Sequence, residues 1–226
     1  MMKLKIFLGV IFLSSLSYSQ TMYTQTYSQL ETFFGIGVAS YSGEIGSGIS
    51  TIRPSIEAGG RFFMNDHVAT NIKATCLSLS GNDASKDDNR GYSFNALVGE
   101  TIGNFEIYIF SEGSKFQDYS SYSGTGGKMF NLFFSVGAGY MFFKNEAYYK
   151  NEAYQLTSET YKHSGYIIPL GGGIRITFNK SLAAMLTLSK RLTVTDYLDD
   201  CSINNEKKDI YITGMVNIIY KINRTK

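Results

Sequence analysis

The sequence predicts an all-β protein, an antiparallel up-and-down transmembrane β-barrel of about eight strands, with ten as the other even count. Three observations predict it. First, side chains alternate with a period of two, most clearly over 130–143. There Phe130, Leu132, Phe134, Val136, Ala138, Tyr140 and Phe142 form an apolar face, against Asn131, Phe133, Ser135, Gly137, Gly139, Met141 and Phe143. Alternate residues of a strand point to opposite faces, and about 10 of them at a tilt cross a bilayer. Second, the chain of 226 residues is rich in Gly (23), Tyr (17) and Phe (16), which suits kinked strands and interfacial aromatic girdles. Third, no apolar run beyond the N-terminus reaches the roughly 18 residues of a spanning helix. A soluble sandwich or lipocalin-like barrel would turn the same apolar face inward. The charged opposite faces and the aromatic strand ends favour the membrane form.

The N-terminus is read apart from the barrel. Lys3 and Lys5 precede a short apolar stretch, Ile6 to Leu13, and small residues Ser17 and Ser19 precede a cut before Gln20. This is the pattern of a secretory signal peptide over 1–19, leaving 20–226 as a single barrel domain. No Cys stands at the cut to carry a lipid anchor. The net charge of +2 argues for neither nucleic acid nor an anionic surface as partner, and two Cys make no disulfide framework.

The strands follow in order. The first, Leu30 to Tyr41, sets Leu30, Phe34, Ile36 and Val38 against Glu31, Phe33, Gly35, Gly37 and Ala39. The second, Ile52 to Phe63, places Arg53, Ser55, Glu57, Gly59 and Arg61 on one face. Charges facing lipid cost a few kcal/mol each near the midplane, so this face is assigned to the lumen. Met64 to His67 is a tight turn. The third strand, Val68 to Ser78, alternates Val68, Ile72, Ala74 and Cys76 with Asn71, Lys73 and Thr75. The fourth opens with Tyr92, Phe94, Ala96 and Val98 as its apolar face. Glu100 then falls on that face, which predicts a bulge near Gly103-Asn104 or a separate strand over Phe105 to Phe110. The fifth strand is Phe130 to Phe143, followed by a polar stretch from Lys144 to His163. The sixth, Tyr166 to Phe178, carries Arg175 inside. The seventh, Leu182 to Thr195, carries Arg191 inside and Lys190 outside, where its ammonium would snorkel to the interface. The last runs from Ile210 to Ile222. Short turns near 64–67 and 179–180 share the periplasmic side with the N-terminus and with the longer 111–129 stretch. The loops at 42–51, 79–91, 144–164 and 196–208 fall outside the cell.

Catalytic patterns are missing: there is no nucleophile elbow, zinc spacing or phosphate loop, and no cofactor or metal ligand set is expected. Gly171-Gly172-Gly173 reads as close packing within a strand. His67 and His163 read as solvated, and His163-Ser164 is too little for a hydrolase. Asp196, Asp199 and Asp200 lack calcium-loop spacing. Cys201 is a loop thiol, either free or cross-linked to a partner. Cys76 faces outward, away from any bridge to it. Arg53, Glu57, Arg61, Lys73, Arg175 and Arg191 form the predicted lumen charge network.

Four landmarks carry a resemblance: 37–45 (Gly-Val-Ala-Ser-Tyr-Ser-Gly-Glu-Ile), Arg53-Pro54, 89–94 (Asn-Arg-Gly-Tyr-Ser-Phe) and, most specific, Thr195-Asp196-Tyr197-Leu198-Asp199-Asp200. Together they resemble the PorG-like outer-membrane barrels of the Bacteroidota, over most of the mature chain. The resemblance implies a non-enzymatic component of the type IX secretion and gliding apparatus. Its barrel would contact a periplasmic ring, made of a lipoprotein and its partner, through 111–129 and the N-terminal lead-in. The other reading of the same chain is a general small barrel for envelope integrity or surface adhesion.

Overall fold

Alternation with period two forms strands wherever both faces find suitable surroundings, and closure supplies them. In the computed structural model the described residues are 30–42, 51–65, 67–82, 92–110, 129–149, 152–153, 163–179, 181–194 and 209–222. They form β1 (Leu30–Ser42), β2 (Ile52–Phe63), β3 (Val68–Asn82), β4 (Tyr92–Tyr108), β5 (Met129–Tyr149), the two-residue β6 (Glu152–Ala153), β7 (Ser164–Thr177), β8 (Leu182–Thr193) and β9 (Ile210–Ile222). All pairings are antiparallel. The order β4-β3-β2-β1-β9-β8-β7-β5 closes through β4–β5, so the eight long strands make one barrel without an open edge. β6 only pairs back on the end of β5, at Tyr148 and Tyr149.

First and last strands meet along their whole length, from Leu30↔Ile222 to Ser42↔Ile210. This places the two ends of the barrel at the same rim. The turns at 64–67 and 179–181 lie at that rim too, and both use the same device. Asn65 Oδ1 accepts from the backbone N–H of His67 at 2.9 Å and of Val68 at 2.8 Å. Asn179 Oδ1 accepts from Ser181 and Leu182, each at 2.8 Å. An Asn side chain that bonds the backbone two and three residues on stabilises a sharp reversal. Near mid-β7 the proline leaves its mark. Pro169 has no N–H to donate, and the β5–β7 ladder skips Gly137 and Ala138 between Val136↔Leu170 and Gly139↔Ile167.

Three expectations are corrected. β4 is one continuous strand of 17 residues, with neither bulge nor separate 105–110 strand. Its even-numbered side chains, from Phe94 through Glu100 to Tyr108, all face the lumen. The apparent break arises because the lumen is itself apolar near the loop rim, where Tyr41, Leu77, Leu79, Phe94, Val98 and Phe143 cluster. Next, β5 runs on to Tyr149 instead of ending at Phe143, paired with β4 up to Tyr92↔Tyr149. Similarly β3 continues to Asn82, paired with Ser93 of β4. The signal peptide, the 111–128 stretch and the 195–208 segment with its family motif lie outside the described residues.

Inward glycines make room for the large side chains of the lumen. Phe33 pairs with Gly59 across β1–β2, and Phe133 pairs with Gly173 across β5–β7. A Cβ at Gly59 would stand 2.7 Å from Phe33 Cζ; one at Gly173 would stand 2.9 Å from the Phe133 ring and 2.0 Å from the Leu186 carbonyl oxygen. Each aromatic ring thus lies over a bare backbone, which both protects the strand and lets the ring fit. A second apolar cluster, with Phe33, Phe63, Tyr108, Phe133, Met185 and Ile219, fills the lumen near the turn rim.

A buried charge network and an apolar exterior

Beside these apolar clusters the lumen is ionic. Arg61 Nε and Nη2 donate to Glu106 at 2.6 and 3.1 Å, and its Nη1 reaches Glu31 at 3.3 Å. Arg175 donates to both oxygens of Glu31, at 2.9 and 2.6 Å. Arg61–Glu31 links the neighbouring β2 and β1, but Arg61–Glu106 joins β2 to β4 and Arg175–Glu31 joins β7 to β1, strands that are not neighbours, so the network spans the lumen. Asn71 donates to Glu106 at 2.6 Å, and Tyr108 Oη donates to it at 2.8 Å. Both guanidinium groups also face rings, Arg61 over Phe33 at 5.1 Å and Arg175 over Phe63 at 5.3 Å. Carboxylates below and π-faces beside a desolvated cation are the combination that makes its burial tolerable.

A second group lies nearer the loops. Lys73 Nζ donates to Glu57 at 2.7 Å, and Asn217 donates to the other Glu57 oxygen at 2.8 Å. Arg191 faces Glu100 at 3.6 Å and donates to Ser189, while Tyr211 Oη donates to Glu100. Five of the six residues of the predicted network, Glu57, Arg61, Lys73, Arg175 and Arg191, are therefore buried in the lumen. Arg53 is not. It is exposed, near the loop-rim end of β2, and its guanidinium bonds only the neighbouring carbonyl of Ile52 at 3.3 Å among the bonds described. Parity sets Arg53 on the inner face, yet its side chain is exposed, while Ala39 opposite it and Thr51 nearer the rim are buried.

Sequence reasoning left three carboxylates out of the network. Glu31 stood on the inner face of the first strand without a partner assigned. Glu100 and Glu106 were obscured by the mistaken phase of the fourth strand. Carrying that phase back from Phe105 and Ile107, which are outward and half-exposed, would have placed both inside.

Candidate catalytic residues do not converge. His67 is exposed in its turn, with Nδ1 3.0 Å from the Tyr108 carbonyl oxygen. His163 lies exposed against the Phe143 ring, and Ser164 accepts from Tyr140 Oη at 2.9 Å on the outer face. Among the described residues no three His, Cys, Asp or Glu side chains gather as metal ligands would.

The outside reverses the inside. Phe34, Ile36, Ile72, Phe134, Leu188 and Ile218 are all exposed, Ile72 to 69% and Phe134 to 66%. A water-soluble protein does not show a continuous apolar surface of this extent, because each exposed apolar side chain forfeits its burial energy. The 13 residues of β1, at 3.3 Å each and a tilt near 40°, rise about 33 Å, enough to cross a hydrocarbon core. Aromatic residues mark both rims, with Tyr140, Phe142 and Tyr166 toward the loops and Phe62, Phe130, Phe178 and Tyr220 toward the turns. Beyond the belt, β5 carries Lys144 and Glu146 into solvent. There Tyr148 Oη donates to Glu146 at 2.9 Å, and with Lys144 at 3.5 Å this holds the Glu146 carboxyl below its ordinary range.

No protein-family model and no curated protein matches this chain. Solved structures of similar chain path include the attachment invasion locus protein Ail of Yersinia pestis, in complex with a heparin analogue, at 10% identity and TM-score 0.49, covering 87% of this chain and all of Ail. The N-terminal barrel of OprF from Pseudomonas aeruginosa matches at 11% identity and TM-score 0.45, over 88% of this chain and 100% of that one. OprG of the same organism matches at 8% and 0.46, over 88% and 98%. At such identities and scores, function has to be read from the chain's own lumen, surface and sequence.

Proposed function

We propose that this chain is an exported outer-membrane barrel that acts as a non-enzymatic, non-conducting anchor or organiser. The observation that carries this reading is the division of the barrel, apolar outside and filled inside by buried ion pairs together with two apolar clusters. An eight-stranded barrel is just wide enough to be filled by its own side chains. Function then falls to the rims and the surface. The finer reading is a component of a type IX secretion and gliding apparatus, holding a periplasmic ring lipoprotein and its partner. It rests on the sequence resemblance over 37–45, 53–54, 89–94 and above all the Asp196, Tyr197, Leu198, Asp199 and Asp200 motif. Its contacts would come from 111–129 and the N-terminal lead-in.

One observation favours the alternative, a general barrel for envelope integrity or adhesion. β5 extends six residues past Phe143 on the loop side, and its exposed Lys144 and Glu146 offer a surface for contact outside the cell. Affinity purification from gently solubilised envelopes, followed by mass spectrometry, separates the two. Recovery of ring or translocon proteins supports the secretion reading. A clean barrel without them removes it and leaves the envelope role.

A further inference from the structure

Outward positions of the strands carry no charge through the belt, with one exception. Lys190 on β8 is exposed and points out among Leu170, Leu188 and Ile212, and it has no carboxylate partner among the described residues. An ionisable side chain on an otherwise apolar membrane face is costly unless something answers its charge. Lys190 stands three residues inside the loop-side end of β8, about 10 Å along the strand. A lysine stem reaching outward from there delivers its ammonium toward the headgroup zone.

Beside it the surface is shaped. The next outward row reads Gly172, Leu188, Gly214, Val38 across β7, β8, β9 and β1. Leu188 projects at 64% exposure, and both of its neighbours lack a side chain. A Cβ at Gly214 would meet only Val38 and Leu188 methyls, at 3.9 and 4.0 Å, so the notch there is open. At Gly172 a Cβ would stand 2.6 Å from the Phe133 carbonyl oxygen, so that side is closed, and the row forms one shallow furrow over Gly214, between Leu188 and Val38, with a cation at its loop-side head.

We propose that Lys190 and this furrow form a docking site for one phosphate-bearing lipid of the outer leaflet. The phosphate sits on the Lys190 ammonium and the acyl chains lie along Leu188. Charge complementarity selects an anion, and the furrow selects one that carries alkyl chains. This rests on the outer-membrane reading above, and the experiment keeps the two apart.

The full chain, refolded in non-ionic detergent, is titrated with a diphosphorylated lipid A and with the same lipid stripped of its phosphates, and binding is read by native mass spectrometry. Wild type should retain the phosphorylated lipid about fivefold better, the size expected for one basic residue near an anionic lipid. Lys190→Gln should fall to the level of the stripped lipid, and Lys190→Arg should restore the preference. Gly214→Leu should weaken retention of both lipids while keeping the preference. Retention indifferent to phosphate, or unchanged in Lys190→Gln, overturns the site, the second result pointing to another anion-binding group. Co-flotation with phospholipid vesicles is scored separately: a chain that fails to float overturns the membrane reading instead.

Discussion

Glu31→Gln tests whether the ionic layer holds the barrel together. The Glu31 carboxylate is fully buried and bridges two arginines, Arg175 at 2.6 Å and Arg61 at 3.3 Å. The amide is nearly isosteric, so the change removes charge without opening a cavity. Arg61 keeps its paired bonds to Glu106, while Arg175 loses the carboxylate that meets both of its terminal nitrogens. Breaking a buried pair from one side costs about 3–5 kcal/mol, because a desolvated charge loses its answer. That is a shift of about two to nearly four powers of ten in the folding equilibrium. The chain has no Trp, so urea unfolding in lipid vesicles is followed by far-UV circular dichroism and by the heat-dependent gel mobility of folded barrels. A cycle with Arg175→Met completes the test. The double variant should be much less destabilised than the two singles added together, since removing both partners leaves no orphaned charge. A Glu31→Gln protein within about 0.5 kcal/mol of wild type would refute the reasoning, and so would additive singles.

Three further outcomes follow from the same geometry. Arg53→Gln should leave stability within about 0.5 kcal/mol, since its side chain is exposed, whereas Arg191→Met should be clearly destabilising in the same urea series. Gly173→Val should cut the folded fraction severely, because its Cβ would sit 2.0 Å from the Leu186 carbonyl oxygen; Gly99→Ala, with open space around it, should refold like wild type on the same gel. In membranes, Cys76 should react with a lipid-soluble maleimide and resist a membrane-impermeant one, as an outward thiol at mid-strand must; equal labelling by both would contradict the outward belt.

Much of the barrel was legible in the sequence, for a simple reason. Period-two alternation depends only on the pleat of a single strand, so β1, β2, β3, β5, β7, β8 and β9 could be found, and their faces sorted, before any partner was known. The two turns were legible because Asn65 and Asn179 carry their own hydrogen-bonding chemistry. Individual charges such as Arg61, Arg175 and Arg191 were legible as inward because lipid would not tolerate them.

What only the tertiary structure decided concerns the closed shape. Alternation says that two faces differ, but not which one closure turns inward. At the loop rim the inner face of β4 is the apolar one and the outer face carries Ser93 and Asn95, so Phe94, Ala96 and Val98 looked outward until Glu100, Asn104 and Glu106 on the same face were found buried. Pairing across the lumen was equally out of reach. Arg61 meets Glu106 at a separation of 45 residues and Arg175 meets Glu31 at 144, because closure brings non-adjacent strands face to face across a narrow interior. Arg53 shows the converse. Its parity matches that of Arg61, yet its side chain is exposed while Ala39 opposite it is buried, and the path a long side chain takes is not contained in a strand's own alternation.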